Sequence, residues 1–259
     1  MAIITLTTDL GDSSHYPAVL KGIILSMCKQ PTLVDVTHNI SDFDIMQAAF
    51  VVKHAYPAFP KGSIHLVGVD PGDPSQHHGI VVKHDDHYFI GADNGIMPLI
   101  CGKDLHQARW IEHDGLFRTD YPTSFRSARV FAPTAAFLAS GGSLEEIGSP
   151  ADLKELKWGH PSYSNNCLRG KIIHIDKFGN AITNIPRQDF LSIKDDRRFE
   201  IFIRNVRLKR IVNTYSDVGK ADALAIFGGS GCLEIAMRET SAADLLGLKV
   251  NDMITIEFS

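Results

Sequence analysis

The chain opens Ile3-Ile4-Thr5-Leu6-Thr7-Thr8-Asp9-Leu10-Gly11, an apolar, β-branched run that stops at a turn. β-Branched residues suit a pleated strand, and Asp and Gly suit the bend that ends one. The next sixty residues set the fold class. Tyr16–Cys28 carries Val19, Leu20, Ile23, Ile24 and Met27 at helical spacing. Leu33–Thr37 reads as a second strand, and Asp44–Tyr56 as a second helix with Ile45, Ala48, Ala49 and Val52 on one face. Ile64–Val69 reads as a third strand, closing at Asp70-Pro71-Gly72. Strands alternating with helices predict an α/β domain with a mainly parallel sheet over residues 1–160. Ile80–Lys83 and Tyr88–Gly91 read as a hairpin, and Phe131–Ser140 as a further helix before Gly141-Gly142.

From Asn166 the pattern changes. Arg169–Ile175, Phe199–Ile203, Val206–Ile211, Leu224–Phe227, Leu233–Met237 and Met253–Phe258 are short, β-rich and separated by turn residues, with only Ala242–Leu248 clearly helical. This predicts a second, smaller, all-β barrel-like domain over residues 166–259, joined through the polar stretch Trp158–Asn166.

Bulk properties exclude several classes. With 259 residues, 44% hydrophobic and 22% charged, the chain has the balance of a soluble globular protein. Net charge is −4, with Lys and Arg scattered, so neither a nucleic acid nor a membrane surface is an expected partner. The start of the chain carries no positive leader and reads as a strand rather than a signal peptide, and no apolar run approaches the roughly 20 residues that span a bilayer. Cys28, Cys101, Cys167 and Cys232 form no CxxC pair and are expected as free thiols in a reducing cytoplasm.

In a parallel α/β sheet, ligands bind at the carboxyl ends of strands. Asp9, His38 and Asp70 fall at such ends. Each also has a local explanation: a turn former or helix cap, a hydrogen-bonded loop histidine, and a turn in its own right. His77-His78 with Asp9, His38 and Asp70 can be drawn as a metal centre, but no HxH, HxxxH or HExxH spacing supports it, and no metal is expected. Gly228-Gly229-Ser230-Gly231 lacks the Lys of a phosphate-binding loop and reads as a hairpin turn, whose backbone around Ser230 could still meet a carboxylate. Asp176-Lys177-Phe178-Gly179-Asn180 is either a turn or a binding segment: an acid for an ammonium, an aromatic face for a ring, and an amide matching a purine edge.

Together these segments resemble the S-adenosyl-L-methionine hydrolases (adenosine-forming), relatives of the fluorinase and chlorinase that attack the same carbon with halide. The resemblance is carried by Thr7-Thr8-Asp9-Leu10-Gly11, Lys21-Gly22, Asp35-Val36-Thr37-His38, Val69-Asp70-Pro71-Gly72, Ala92-Asp93-Asn94-Gly95, Phe131-Ala132-Pro133, Asp176-x-Phe178-Gly179-Asn180-x-x-Thr183-Asn184 and Leu233-Glu234-Ile235-Ala236, in family order. It implies hydrolysis of S-adenosyl-L-methionine as substrate, without a cofactor, by a homotrimer that holds ligand between neighbouring subunits. It also implies Asp9 on the ribose hydroxyls, Phe43 as the sugar-side aromatic, Asp176 on the methionine ammonium, and Phe178 and Asn180 on the adenine, with Tyr215 as a second stacking face.

Three departures stand out. The family's water-handling Asp–Arg–His set is read here as Asp70, His77 and Arg126: His77 stands where Arg is usual, and Phe125-Arg126-Ser127-Ala128-Arg129 puts Arg where His is usual. Ser14 replaces the acid usual five residues after Asp9. Ser127 stands where the fluorinase has a halide-contacting serine, yet the fluorinase's inserted loop is absent between Val82 and Gly91. Water is therefore the expected nucleophile. The alternatives are halide-dependent 5′-halogenation, or a protein that binds S-adenosylmethionine or adenosine with a decayed triad.

Overall fold

The computed structural model describes residues 2–71, 78–102, 105, 107–112 and 119–259. They form two compact units, Met1–Lys157 and Trp158–Ser259.

In the first unit, β1 (Ile3–Thr8) is followed by α1 (Tyr16–Met27), β2 (Thr32–Thr37), α2 (Ile45–Ala55), β3 (Ile64–Gly68), β4 (Gly79–His84), β5 (His87–Ala92), α3 (Ile96–Cys101), β6 (Ala108–Trp110) and α4 (Ala132–Ala139). β1 is buried along almost its whole length, as expected of a central strand covered on both faces. Leu20, Ile23 and Ile24 of α1 and Ala132, Ala135 and Ala136 of α4 form one core with Ile4, Leu6, Ile64 and Leu66 of the sheet. Asp44 caps α2 by accepting from the Gln47 amide at 2.9 Å. Small Ala48 and Ala49 let α2 lie close to its neighbours, and it packs on α3.

The sheet order is β2-β1-β3-β5-β4-β6. The pairs β1/β2, β1/β3 and β3/β5 are parallel, whereas β4 runs antiparallel to both β5 and β6. The expected mainly parallel sheet is therefore corrected to a mixed one. The hairpin joins the sheet through its second strand, so β4 runs against the other strands and β6, antiparallel to β4, runs with them again.

The second unit contains β7 (Ser162–Ser164), β8 (Cys167–Ile175), β9 (Ala181–Pro186), α5 (Arg187–Lys194), β10 (Phe199–Ile203), β11 (Val206–Leu208), β12 (Ile211–Val212), β13 (Ala223–Phe227), β14 (Cys232–Met237), α6 (Ala242–Leu246) and β15 (Met253–Phe258). Its path is β11-β10-β15-β8-β9-β14-β13-β12, with β7 on β8. Besides β7, β8 serves two neighbours on the path: residues 167–171 pair with β15, and the strand then bends through an irregularity between Ile172 and His174 to pair with β9. β11 and β13, from opposite ends of the path, come into contact and nearly close a barrel-like sheet. The unit is not all-β. α5, unforeseen because it buries only Phe190, accompanies the expected α6. The run Val206–Ile211 splits into β11, antiparallel to β10, and a segment leading into β12, parallel to β13.

All four cysteines are free. No helix among the described residues is long and apolar enough to cross a membrane.

One buried feature makes the first unit sensitive to acid. Thr5 Oγ1 lies 2.8 Å from His65 Nδ1, and His65 Nε2 lies 3.0 Å from His87 Nδ1. Burial, with the neighbouring His87 adding to it, pushes the His65 ring down to about 3. An unfolded histidine titrates near 6.5, so the neutral native ring contributes full stability above that pH and loses it as pH falls from 6.5 towards 3. Between pH 6.5 and 5 the expected loss from this group is about 2 kcal/mol. Urea unfolding at the two pH values should show it, and His65→Gln should flatten the difference. An equal fall in the variant would assign the acid sensitivity to other groups.

Candidate functional site

Parallel pairing sets Thr7 opposite Thr37 and Thr8 opposite Gly68. Asp9, His38 and Asp70 consequently leave the same edge of the sheet, at the carboxyl ends of β1, β2 and β3. Asp9 Oδ2 accepts from the Phe43 amide at 3.1 Å and from the Asp70 amide at 3.4 Å, tying together the loops that follow β2 and β3. Both of those residues are left-handed, with φ of 62° at Phe43 and 41° at Asp70. Neither is glycine, and Asp70 precedes a proline, so each conformation costs of order 1–3 kcal/mol. Phe43 is 70% exposed, an aromatic side chain on the loop whose amide binds the Asp9 carboxylate.

Asn94, just after β5, is buried and grips the same loop. Its Nδ2 donates to Val69 O at 3.1 Å and Asp70 O at 2.9 Å, while its Oδ1 accepts from the Ile96 amide. Arg126, also buried, donates from Nη1 to Pro71 O at 3.1 Å, and its guanidinium stands 5.7 Å from the Phe131 ring. Burial disfavours its charge and lowers its pKa below the usual arginine value. Arg126 leads into a π-helical turn, Ser127–Phe131, that runs straight into α4. Such turns are rare and recur at functional sites. Ser127 is buried against β3, where a Cβ on Gly68 would come within 2.9 Å of its Oγ. Only glycine leaves this room. Asp9, Phe43, Asp70, Arg126 and Ser127 thus gather at one end of the sheet. His77 lies outside the described residues. Ser14 helps to close the turn after β1, donating to Leu10 O at 2.9 Å and accepting from the Tyr16 amide.

His38 is buried behind this edge. Its Nδ1 lies 2.8 Å from Thr8 Oγ1, and its Nε2 lies 3.1 Å from Asp35 Oδ1, an ion-pair distance without the alignment of a hydrogen bond. Lys21 Nζ donates to Asp35 Oδ2 at 2.5 Å. Burial pushes the Asp35 carboxyl up, but Lys21 and His38 outweigh it and hold it below its usual value.

The second unit has a cavity of about 610 Å³ lined by Asp176, Phe178, Asn180, Tyr215, Met237 and Ser241, among others. Asp176 follows β8 and builds its own turn. Oδ1 accepts from the Phe178 and Asn180 amides, each at 2.9 Å, and Oδ2 accepts from Asn180 Nδ2 at 3.0 Å. Gly179, at φ 79°, completes the turn, and any Cβ there would strike Ser241 Oγ. The turn leaves Phe178 76% exposed on the cavity rim. The Tyr215 hydroxyl donates to Glu234 Oε1 at 2.6 Å. Burial, with Glu234 as acceptor, raises the Tyr215 pKa above its usual value. Burial likewise raises that of Glu234, the bond from Tyr215 offsetting part of the shift. Ser230 sits in the β13–β14 hairpin turn, where its Oγ accepts from the Cys232 amide at 3.3 Å, and it is not among the cavity's lining residues.

Sequence reasoning gave no role to Asn94 or Glu234. The signal for Glu234 was a carboxylate inside the otherwise apolar strand Leu233–Met237. Among the described residues, no group of three or more His, Cys, Asp or Glu is placed to hold a metal ion.

Two family models match the chain: the SAM hydroxide adenosyltransferase N-terminal domain over residues 4–148 and the C-terminal domain over residues 170–255. The chain is 30% identical to an (R)-S-adenosyl-L-methionine hydrolase of Methanocaldococcus jannaschii, over 98% of this chain and 95% of that one. It is 23% identical to a fluorinase of an Actinoplanes species, over 98% and 97%. A crystal structure of an uncharacterised conserved protein from Thermotoga maritima superimposes with a TM-score of 0.88 at 30% identity, covering 99% of both chains. With matches in both of its units, the chain belongs to the SAM hydroxide adenosyltransferase family.

Proposed function

We propose that this protein hydrolyses S-adenosyl-L-methionine to adenosine and L-methionine by in-line attack of water at the ribose 5′ carbon. The observation that carries the reading is the Asp9 carboxylate bonded to the amides of both Phe43 and Asp70, with Arg126 bonded to the next carbonyl, Pro71 O. Polar groups from four loops meet where an α/β sheet binds its ligand. The hydrolase names of relatives at 24–30% identity over nearly the whole chain support the same substrate.

The sulfonium of the substrate leaves as a neutral thioether, so no acid is needed to expel methionine. The water oxygen bonds to the 5′ carbon, the carbon–sulfur pair goes to sulfur, and the water proton goes to a base. In this reading His77 is that base, oriented by Asp70, and Arg126 stabilises the developing hydroxide. Asp9 holds the ribose hydroxyls, Phe43 covers the sugar, Phe178, Asn180 and Tyr215 take the adenine, and Asp176 takes the methionine ammonium. Ser127 lies beside the attacking atom, and the hairpin turn at Ser230 offers its backbone to the methionine carboxylate. No cofactor is required. The matching assembly is a homotrimer whose neighbouring subunits share each substrate, and the four free thiols support a cytoplasmic setting.

Chromatography of purified protein with S-adenosyl-L-methionine tests the proposal. Adenosine and methionine should form in equal amounts, in EDTA and without halide, and Asp70→Ala, His77→Ala and Arg126→Ala should each slow them by about 10²–10⁴-fold. Product that appears only with halide would replace water by halide as nucleophile. Tight nucleoside binding with no turnover would leave a binding protein.

The adenine assignment has its own test. Phe178→Ala should raise KM roughly tenfold with kcat nearly unchanged, since stacking acts on bound substrate and transition state alike. A loss confined to kcat would remove Phe178 from the adenine.

A further inference from the structure

Lys21, Asp35 and His38 stand in line behind the turn that carries Asp9. Lys21 Nζ is 2.5 Å from Asp35 Oδ2, Asp35 Oδ1 is 3.1 Å from His38 Nε2, and His38 Nδ1 is 2.8 Å from Thr8 Oγ1. Thr8 Oγ1 in turn accepts from the Leu10 amide at 3.3 Å, on the far side of Asp9. With its Nε2 facing the Asp35 carboxylate at an ion-pair distance, the His38 ring presents Nδ1 to the Thr8 hydroxyl, which can donate to it. That leaves the Thr8 lone pairs for Leu10. The chain runs from a half-exposed ion pair into a fully buried imidazole and hydroxyl, His38 being 3% exposed and Thr8 wholly buried.

Backbone bonds fasten the same two loops. Gly11 N donates to His38 O at 2.7 Å and Ile40 N to Thr8 O at 3.3 Å, and the Asn39 and Asp12 side chains pair across them. The loop from His38 onward also leads to Phe43, whose amide binds Asp9.

We infer that His38, oriented by Asp35, is a positioning residue that acts through Thr8 to hold the Asp9 carboxylate towards the ribose. The inference rests on the proposed function for the identity of the ligand. Its geometry is confined to the first unit.

A matched control lies on the same strand. Thr5 Oγ1 makes the equivalent 2.8 Å contact with a buried histidine, His65, and is wholly buried too, but stands away from the ligand edge. Thr8→Val and Thr5→Val each remove one hydroxyl from a histidine without changing side-chain shape. If the inference holds, Thr8→Val raises KM for S-adenosyl-L-methionine and the calorimetric Kd for adenosine roughly tenfold, with kcat within about twofold. Thr8→Ser, which restores the hydroxyl, returns both to near wild type. Thr5→Val lowers Tm and leaves both constants alone.

The inference is overturned if Thr8→Val leaves KM and Kd unchanged, if Thr5→Val shifts them equally, or if Thr8→Ser fails to rescue. Should the wild type bind adenosine without turning over S-adenosyl-L-methionine, the hydrolase reading alone falls and Kd decides the role of His38. A wild type that binds neither compound overturns both.

Discussion

Asp9 Oδ2 accepts two backbone amides, from Phe43 and Asp70, and much of the first unit is arranged around that oxygen. Both donors sit at positive φ, at a combined cost of a few kcal/mol. A hydrogen bond to a charged group returns about 1.5–3 kcal/mol, and the 3.4 Å contact to Asp70 returns less than the 3.1 Å one to Phe43. The carboxylate alone therefore does not hold Asp70. Two bonds from Asn94 to the carbonyls of Val69 and Asp70, and one from Arg126 to Pro71 O, make up the difference. The strained loop is gripped from three sides, by residues placed by β1, β5 and the π-helical turn.

The second unit uses a carboxylate in the opposite manner. Asp176 spends three acceptor positions on its own turn. An ionised carboxylate has about four such positions, which leaves roughly one for an ammonium. That is enough for a single charge-assisted bond. Ser14 stands where an acid would have shared the task and is engaged with Leu10 O and the Tyr16 amide. On the proposed reading, grip on the amino-acid end is thin, and affinity depends more on the aromatic surface of Phe178 and Tyr215.

Local pattern made the early elements legible. β1, α1, β2 and α2 appear within a residue or two of where apolar periodicity put them, because each buries a face whose period survives in the sequence. The mixed sheet was not legible. The β4–β5 hairpin could be read, but nothing local says that β5 rather than β4 would lie against β3, and that choice sets the direction of the whole edge. α5 was hidden for a related reason: a helix burying one side chain leaves no stripe to detect. Among candidate site residues, Asp9, Asp70 and Arg126 were proposed through motifs. Asn94 lies inside the motif Ala92-Asp93-Asn94-Gly95, yet its grip on the Asp70 loop depends on β3 and β5 being neighbours, a tertiary fact.

The exchange of residue types at positions 77 and 126 has a chemical consequence on the proposed reading. Arginine stays protonated at working pH and has no lone pair to take a proton, so position 126 can stabilise charge but not act as base. Its burial reinforces the assignment. A guanidinium lowered in pKa by desolvation, with a backbone carbonyl as its partner, gains more from a nearby anion than an exposed one would. Developing hydroxide supplies such an anion only as the water loses its proton. The base must then be another residue, and on the proposed reading it is His77. A chain with histidine at 126 and arginine at 77 would divide the labour the other way round.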